Sequence, residues 1–401
     1  MSTPRWPRLA ALALAATVLA SCSAQTAGGE DAGSTEPVRV LMINSLSGPL
    51  STSGSAQRDG LTAAVDSINE AGGIEGRTVE LTVLDDQLDP TVAATLLQQE
   101  FDKGTPDLVY HPFASSIALA ILPAIQREKV ISLSCAQSSA INDPESFPYA
   151  FGIVPSAALE TESMLAYLED AGVESIGLLT ANDATGQDYV ANFGTALDDA
   201  GIEWNAESYA QTDIDMTAQL GRLAANDPDM IITQGHGAAA GYYLKSRTRL
   251  GIDTPTLGAS GIANGTNLGA ITGPEDWTNL ELMSFPVNTP DYAPATERAA
   301  WEDLFSRLDT IDATAVSYTC GWDVLQLYKR AVEQAGDFDS DAVKAALEDL
   351  EEVPADEMLS LSFERVEYSP ESHFPVLEPG EAYVLTAPGP LVDGVVTPPA
   401  E

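Results

Sequence analysis

One strand–loop–helix unit near the start of the chain, residues 38–76, constrains the fold more than any other stretch. Residues 38–43 are β-branched and apolar, which predicts a strand buried on both faces. A loop rich in Ser and Gly follows over residues 44–54, and apolar residues at helical spacing then predict a helix from Gln57 to Gly72. A parallel sheet that begins in this way presents loop amides and a helix N-terminus at the carboxyl edge of its first strand. Open α/β sheets bind ligands at that edge.

Strands and helices alternate along the rest of the chain. Predicted strands cover residues 78–84, 107–110, 130–133, 150–154, 175–180, 202–209, 229–233, 255–258 and 280–285. Predicted helices cover residues 90–101, 115–128, 155–172, 186–201, 217–226, 238–251, 294–308, 315–336 and 340–350. Such alternation predicts an α/β fold with parallel sheets and right-handed crossovers, here in two series of about five strands. The Pro-rich tail, residues 359–401, shows only short strand-like runs.

The composition agrees with a large two-lobed protein that has an acidic surface. The chain has 401 residues, 44% of them hydrophobic, which is too long for one ordinary core. Its 60 acidic residues outnumber 18 basic ones, for a net charge of −42. Because this surface repels phosphate backbones, we expect no nucleic-acid partner. The charge keeps the protein soluble.

The pattern at the N-terminus predicts an export signal. Arg5 and Arg8 precede an apolar stretch over residues 9–19, and no later segment is long and apolar enough to cross a membrane. The next residues, Leu19-Ala20-Ser21-Cys22, resemble a bacterial lipoprotein cleavage box. The resemblance implies a signal peptide over residues 1–21, lipidation of Cys22 and anchoring to the outer face of the cell membrane. The alternative is a plain secretory signal with an incidental Cys. Residues 22–37 are predicted to be a flexible tether.

Two further cysteines remain, Cys135 and Cys320. Outside the cytoplasm such a pair can oxidise, but their separation in sequence says nothing about contact. Whether they form a disulfide stays open at this point.

The sequence offers no catalytic constellation. His111, His236 and His373 are the only histidines, and none has a metal-ligand spacing. The hydrolase motif Gly-x-Ser-x-Gly does not occur. Gly235-His236-Gly237 follows a predicted strand, but its spacing differs from a dinucleotide site and favours a tight ligand-facing turn. We therefore expect no enzyme activity, no metal and no cofactor.

Several motifs, taken in chain order, carry a family resemblance. They are Leu46-Ser47-Gly48-Pro49, Asp59-Gly60, Ile68 through Gly76, Asp85-Asp86 with Asp89-Pro90, Ala114-Ser115-Ser116, Gly258 with Gly261-Ile262-Ala263-Asn264, and Gly321-Trp322-Asp323. Over residues 38–363 the chain resembles type I periplasmic binding proteins, and among them the leucine/isoleucine/valine-binding proteins of ABC importers.

The resemblance implies two doubly wound, Rossmann-like lobes that are joined by three hinge crossings and close on a ligand. Lobe one is expected to comprise residues 38–154 plus 286–362. Lobe two is expected to comprise residues 155–285 plus 363–401. This agrees with the strand pattern, which places crossings near Val154 and Phe285.

The resemblance also implies ligand-contact residues in lobe one. These are Ala114, Ser115 and Ser116 after the third strand, and Ala136, Gln137 and Ser138 after the fourth. The first group lies at a predicted helix N-terminus, where N–H dipoles favour an anion. The alternative role for these serines is N-capping, which is compatible with ligand contact.

At other ligand positions the chain departs from the amino-acid binders. Ser53, Thr185 and His236 stand where those proteins present tyrosines, Trp322 matches an aromatic wall, and Ser260 replaces the acid that pairs with the ligand ammonium. Burying an ammonium without a carboxylate is costly, so Ser260 argues against an ordinary α-amino acid. Asp183 or Asp323 can substitute for that acid, and the alternative for either is a capping or core-bonded acid. His236 brings a donor that suits a carboxylate or an amide.

The function implied by the resemblance is that of a lipid-anchored extracytoplasmic solute-binding protein. It would capture a small polar ligand, which is amino acid-like, a carboxylate or an amide, and deliver it as a monomer to an ABC permease in the membrane. The alternative is a sensing lipoprotein of the same fold that is not coupled to transport.

Overall fold

Two β-sheets form the frame of the computed structural model, which describes residues 36–263, 268–290, 299–350 and 366–397. The first sheet is parallel throughout, with strand order β2-β1-β3-β4-β5. Its strands are β1 Val38–Asn44, β2 Val79–Asp85, β3 Leu108–Tyr110, β4 Ile131–Ser134 and β5 Ala150–Gly152. This order, with β1 inside the sheet, is that of a doubly wound fold.

The second sheet has the order β11-β10-β9-β8-β6-β7 and is parallel except at β11. Its strands are β6 Ser175–Ala181, β7 Glu203–Tyr209, β8 Met230–Gln234, β9 Thr256–Gly258, β10 Leu280–Ser284 and β11 Val384–Thr386. A two-stranded hairpin of β12 Leu391–Val392 and β13 Val395–Val396 ends the described chain. The predicted α/β fold with two doubly wound series is confirmed.

Helices cover both sheets. Those on the first sheet are α1 Ser51–Glu70, α2 Pro90–Phe101, α3 Ser115–Arg127, α10 Ala299–Ser306, α11 Ala315–Ala335 and α12 Ser340–Glu348. Those on the second sheet are α4 Ala157–Ala171, α5 Ala184–Asp188, α6 Gly194–Ala200, α7 Thr217–Ala224, α8 Ala238–Leu250, α9 Ser260–Ala263 and α13 Pro379–Ala382. We call each sheet with its helices the first and the second lobe.

Strand β1 is buried on both faces, as its apolar run predicts. Val40 and Met42 pack into the core beneath α1 and α11, whereas Leu41 and Ile43 pack into the core beneath α2 and α3. Alternate side chains of a strand point to opposite faces, so a central strand needs apolar residues at every position.

Helix α1 begins at Ser51, six residues before the predicted start at Gln57. Gly54 is the reason for the difference, because it resembles a loop residue in sequence. In the structure a Cβ at Gly54 would lie 2.1 Å from the Ser45 carbonyl oxygen. The glycine therefore permits a close approach between α1 and the end of β1 and does not interrupt the helix.

A second glycine sets the packing of α1 against α11. A Cβ at Gly60 would lie 1.9 Å from the carbonyl oxygen of Tyr318 in α11. The backbones of α1 and α11 are thus in direct contact. Helix α11, although it lies late in the chain, therefore packs in the first lobe.

The chain passes between the lobes at β5–α4, after β10, and again near its C-terminus. The third crossing differs from the expectation that residues 363–401 belong to lobe two. Tyr368 donates to the Gly152 carbonyl at 2.8 Å, and the Gly152 amide donates to the His373 carbonyl at 2.9 Å. This segment therefore lies against β5 of the first lobe, and the crossing comes later, before β11. The Pro-rich tail has no periodicity from which these edge contacts could be foreseen.

The predicted signal peptide and the anchor at Cys22 lie outside the described residues, as do residues 23–35 of the tether. Among the helices of the described ranges, none is long and apolar enough to cross a membrane.

Candidate ligand-binding cleft

A cavity of about 50 Å³ lies between the carboxyl edges of the two sheets. Residues of both lobes line it, and many of them directly follow strands. The lining residues are Ser53, Gln57, Phe113, Cys135, Gln137, Val154, Thr185, His236, Gly261, Phe285, Val316, Ser317 and Cys320. The cavity thus occupies the place where doubly wound sheets bind ligands.

On the first-lobe side, a network of buried side chains orients Gln57. The Phe113 backbone amide donates to Asn44 Oδ1 at 3.4 Å, and Asn44 Nδ2 donates to Gln57 Oε1 at 2.8 Å. The Tyr110 hydroxyl donates to the same oxygen of Gln57 at 3.0 Å. Gln57 is 4% exposed, and its amide orientation is set by these partners.

A disulfide between Cys135 and Cys320 forms part of the cavity wall. It joins the end of β4 to α11, with an Sγ–Sγ distance of 2.00 Å. The Tyr110 hydroxyl, whose proton is donated to Gln57, lies 3.6 Å from Cys135 Sγ, so the disulfide packs against the Gln57 network. The question that the sequence left open is answered in favour of pairing.

On the second-lobe side, His236 lies in the turn between β8 and α8. The Ala181 backbone amide donates to Gln234 Oε1 at 3.2 Å, and Gln234 Nε2 lies 3.4 Å from His236 Nε2. Burial lowers the pKa of His236, and the field of Asp183 offsets this only in part. The imidazole is therefore neutral at physiological pH.

The described residues that line the cavity include no Asp, Glu, Lys or Arg. A buried acid, Glu160 of α4, lies behind the lining and accepts a hydrogen bond from the Ser260 backbone amide. Burial raises the pKa of Glu160, while the Tyr189 hydroxyl and the Ser260 groups lower it in part. The acidic side chain next to Ser260 is thus Glu160 of α4, and not a residue at position 260 itself. Of the two other acids considered for this role, Asp183 caps α5 through the Gly186 amide at 2.8 Å.

The two lobes contact each other directly across the cleft. Ser115 Oγ lies 3.2 Å from Thr185 Oγ1, and Ser116 Oγ accepts from the Ala184 amide at 2.9 Å. Gln137 Nε2 donates to Ser260 Oγ at 3.4 Å. These contacts describe a closed cleft.

Ser138 is also used across the cleft. Its hydroxyl donates to Asp188 Oδ2 at 3.0 Å, and the Ser139 amide donates to the same oxygen at 2.5 Å. The group held at Ser138 is a carboxylate, but it belongs to the second lobe.

Four of the residues predicted for the ligand site line the cavity: Ser53, Gln137, Thr185 and His236. The others do not line the cavity itself, although Ser115 contacts the lining residue Thr185 and Ser260 contacts the lining residue Gln137; they are Ala114, Ser115, Ser116, Ala136, Ser138, Ser260 and Trp322. The serines among them lie in lobe–lobe or capping contacts, and Trp322 is 3% exposed within the first-lobe core. Asp323 is likewise fully buried in α11.

Sequence reasoning missed several lining residues. Gln57 follows Ser53 by one turn of α1, a relationship that the predicted helix start at Gln57 did not include. Phe285 was placed at a hinge crossing but not in the site, although it follows β10 at the carboxyl edge. Val316 and Ser317 begin α11, far along the chain, and nothing local marks them as cleft residues. Within the described ranges, no three His, Cys, Asp or Glu side chains are grouped to hold a metal ion.

Comparison with known proteins agrees with this geometry. Residues 37–376 match the family model described as "Periplasmic binding protein". The Leu/Ile/Val-binding protein homolog 3 of Brucella melitensis is 24% identical over 316 residues, which are 78% of this chain and 83% of the relative.

Solved structures show the same fold. The periplasmic binding protein type 1 from Bordetella pertussis Tohama I superimposes with a TM-score of 0.78 at 20% identity, covering 88% of this chain and 96% of that one. A solute-binding protein of an ABC transporter from R. palustris, in complex with benzoate, superimposes with a TM-score of 0.70 at 18% identity, covering 90% and 95%. This chain belongs to the periplasmic binding protein family, and the curated relatives to which it is similar are named Leu/Ile/Val-binding proteins.

Proposed function

We propose that this protein is a lipid-anchored extracytoplasmic solute-binding protein that captures a small ligand with a carboxylate or amide group and delivers it to an ABC permease. The observation that carries the proposal is the cavity at the carboxyl edges of both sheets, to which each lobe contributes wall residues. A ligand held there contacts the second lobe only when the cleft is closed. It therefore stabilises the closed form by its differential affinity for that form.

The ligand class follows from the uncharged lining and from Ser260. A cleft without a charged wall residue among the described residues offers an ammonium group no counter-ion. Similar proteins include both amino-acid and carboxylate binders by name, since the B. melitensis relative is named for Leu, Ile and Val and the R. palustris protein is in complex with benzoate. The uncharged wall favours a ligand group that is satisfied by hydrogen bonds, and the side chains of Gln57 and His236 can supply such bonds to a carboxylate or an amide.

Calorimetry on ligand-free protein tests binding and ligand class. The chain from Cys22 onward, with Ser in place of Cys22, is unfolded, dialysed and refolded to remove bound solutes. It is then titrated with amino acids, aliphatic and aromatic carboxylates, amides and urea, and small-angle scattering follows cleft closure. We expect a carboxylate or amide to bind and to lower the radius of gyration. No binding by any compound of this panel would contradict the proposal.

Two cellular experiments test the anchor and the transport role. Cys22→Ala should release the protein from the membrane fraction, whereas a lipid-independent protein would fractionate identically before and after the change. Deletion of the gene should abolish uptake of the radiolabelled ligand. Normal uptake with a lost transcriptional response would instead establish the sensing role.

A further inference from the structure

We infer that Gln57 and His236 form a pair of neutral hydrogen-bond donors, one from each lobe, that selects an apolar carboxylic acid or amide and rejects α-amino acids and amines. This inference rests on the proposed function and names the ligand class and the selecting residues of the same cleft. The family motifs do not predict a glutamine at position 57 or a histidine at position 236.

The donor at Gln57 follows from a chain of hydrogen bonds that starts at a backbone amide. Because the Phe113 N–H can only donate, its acceptor on Asn44 is Oδ1, and the other atom, Nδ2, must donate to Gln57. The Gln57 atom that receives it, together with the Tyr110 hydroxyl, is therefore Oε1. The amide nitrogen Nε2 of Gln57 then remains for the cavity, which Gln57 lines.

The donor at His236 follows in the same way. The Ala181 N–H can only donate, so its acceptor on Gln234 is Oε1, and Gln234 Nε2 is a donor toward His236 Nε2. Since the half-buried imidazole is neutral, its single proton lies on Nδ1. Nδ1 faces the lining residue Gly261, where a Cβ would come within 2.5 Å of it. A side chain at position 261 would occupy the space beside this donor.

The remaining wall suits an apolar body. Phe113, Val154, Phe285 and Val316 contribute aromatic and aliphatic surface, and the Cys135–Cys320 disulfide adds two sulfur atoms. A ligand with an apolar body and one acceptor group at its end satisfies both the wall and the two donors.

An ammonium group is disfavoured by the same geometry. The two oriented polar groups both donate, and two donors repel a cation. Glu160 does not line the cavity, accepts from Ser260, and has a raised pKa that favours its uncharged form. A carboxylate, by contrast, is stabilised by oriented neutral N–H groups without a counter-ion, and an amide oxygen requires only the hydrogen bonds.

Matched probes separate the functional groups from the body size. The first set is butyrate, butyramide, butylamine and 2-aminobutyrate; the second is 4-methylpentanoate, 4-methylpentanamide, 4-methylpentylamine and L-leucine. We expect the acid or amide of at least one set to bind at least tenfold more tightly than the amine and the amino acid of that set, measured by calorimetry on refolded protein.

Variants then test the two donors. Gln57→Met and His236→Phe should each weaken acid or amide binding by about ten- to a hundredfold, the range for one buried hydrogen bond to a charged or polar group. His236→Asn should retain more binding than His236→Phe, because its Nδ2 reaches a position similar to that of Nδ1. Gln57→Glu should lose the acid and gain the amine, whereas Gln99→Glu on the exposed face of α2 adds the same charge without effect. Melting curves establish that each variant is folded.

Three results would overturn the inference. They are tighter binding of the amine or amino acid than of the matched acid and amide, unchanged affinity in both folded donor variants, and no binding by any acid or amide probe. In the first two cases ligand binding itself persists, so the solute-binding role stands while the inference fails; tighter binding of the amine would also remove the proposed ligand class. If no compound of the wider panel binds either, both fail.

Discussion

The carboxylate of Asp188 accepts hydrogen bonds from the Ser138 hydroxyl at 3.0 Å and from the Ser139 amide at 2.5 Å. Asp188 ends α5 of the second lobe, whereas Ser138 and Ser139 follow β4 of the first. The Ser138 hydroxyl and the Ser139 amide, which could bind a ligand carboxylate, thus bind a carboxylate of the protein itself. The pair connects the lobes across the cleft and stabilises the closed form.

Asp188→Ala should shift the ligand-free protein toward an open cleft. The substitution removes the hydrogen bonds that the Asp188 carboxylate accepts from the Ser138 hydroxyl and from the Ser139 amide. Together these bonds stabilise closure by at most about 2–3 kcal/mol, because the half-buried carboxylate is partly solvated. We expect a larger radius of gyration in small-angle scattering and a faster association rate for ligand. Asp199→Ala, an exposed acid of α6, is the control. An identical scattering curve for Asp188→Ala and the control would show that the pair does not hold the lobes closed.

Removal of the disulfide should reduce both stability and ligand binding. Cys135 and Cys320 are 185 residues apart, and closing so long a loop in the unfolded chain corresponds to about 5 kcal/mol in the chain-entropy model. The double substitution Cys135→Ala with Cys320→Ala should lower the urea midpoint accordingly. It should also weaken ligand binding, because both sulfur atoms line the cavity. Two alkylatable thiols in the native, unreduced protein would contradict the pairing.

His111 should make the protein sensitive to acid. It is fully buried after β3, and neither ring nitrogen has a hydrogen-bond partner among the described residues. Burial lowers its pKa to about 3, whereas the unfolded chain keeps a value of about 6.5. Below pH 6.5 the unfolded state therefore takes up a proton that the folded state cannot, so stability is lost as the pH falls from about 6.5 toward 3.

The variant His111→Leu removes this contribution. Between pH 7 and pH 4, the free energy of unfolding of the variant, measured in urea, should rise by about 3 kcal/mol relative to that of the wild type, because the leucine has no proton to bind. Carboxyl groups titrate over the same range, but they are common to both proteins and cancel in the difference. Parallel stability curves of the two proteins over that range would refute the assignment.

Gly60 should tolerate no side chain. Gly60→Ala would force α1 and α11 apart, since the added Cβ meets the Tyr318 carbonyl oxygen, and we expect a loss of about 2 kcal/mol or more. Gly221→Ala in α7 is the matched control, because a Cβ there meets nothing within 4 Å. It should raise stability by about 0.5–1 kcal/mol through helix propensity. Equal effects of the two substitutions on the melting temperature would contradict the close crossing.

Local sequence patterns were sufficient to predict the strands, the helices and the sheet edge at which the cleft lies. They predicted fewer of the residues that line the cleft. The apolar run of β1 and the helical spacing after it led to the correct strand and helix, with an error only where Gly54 resembles a loop residue. The turn at His236 was correctly placed at the cleft, since a turn that follows a parallel strand must lie at the carboxyl edge. Ser115 and Ser138 were placed at the right edge as well, yet their hydroxyl groups contact Thr185 and Asp188 of the other lobe.

The sequence by itself determined the two doubly wound lobes and the edge at which the cleft lies, because periodicity and turn residues act over short stretches of chain. Only the tertiary structure decided which groups face the ligand. Gln57 is a donor because of Phe113, Asn44 and Tyr110, and the wall contains a disulfide because Cys135 meets Cys320. Such contacts join residues that are distant in sequence, and their geometry depends on how the elements pack.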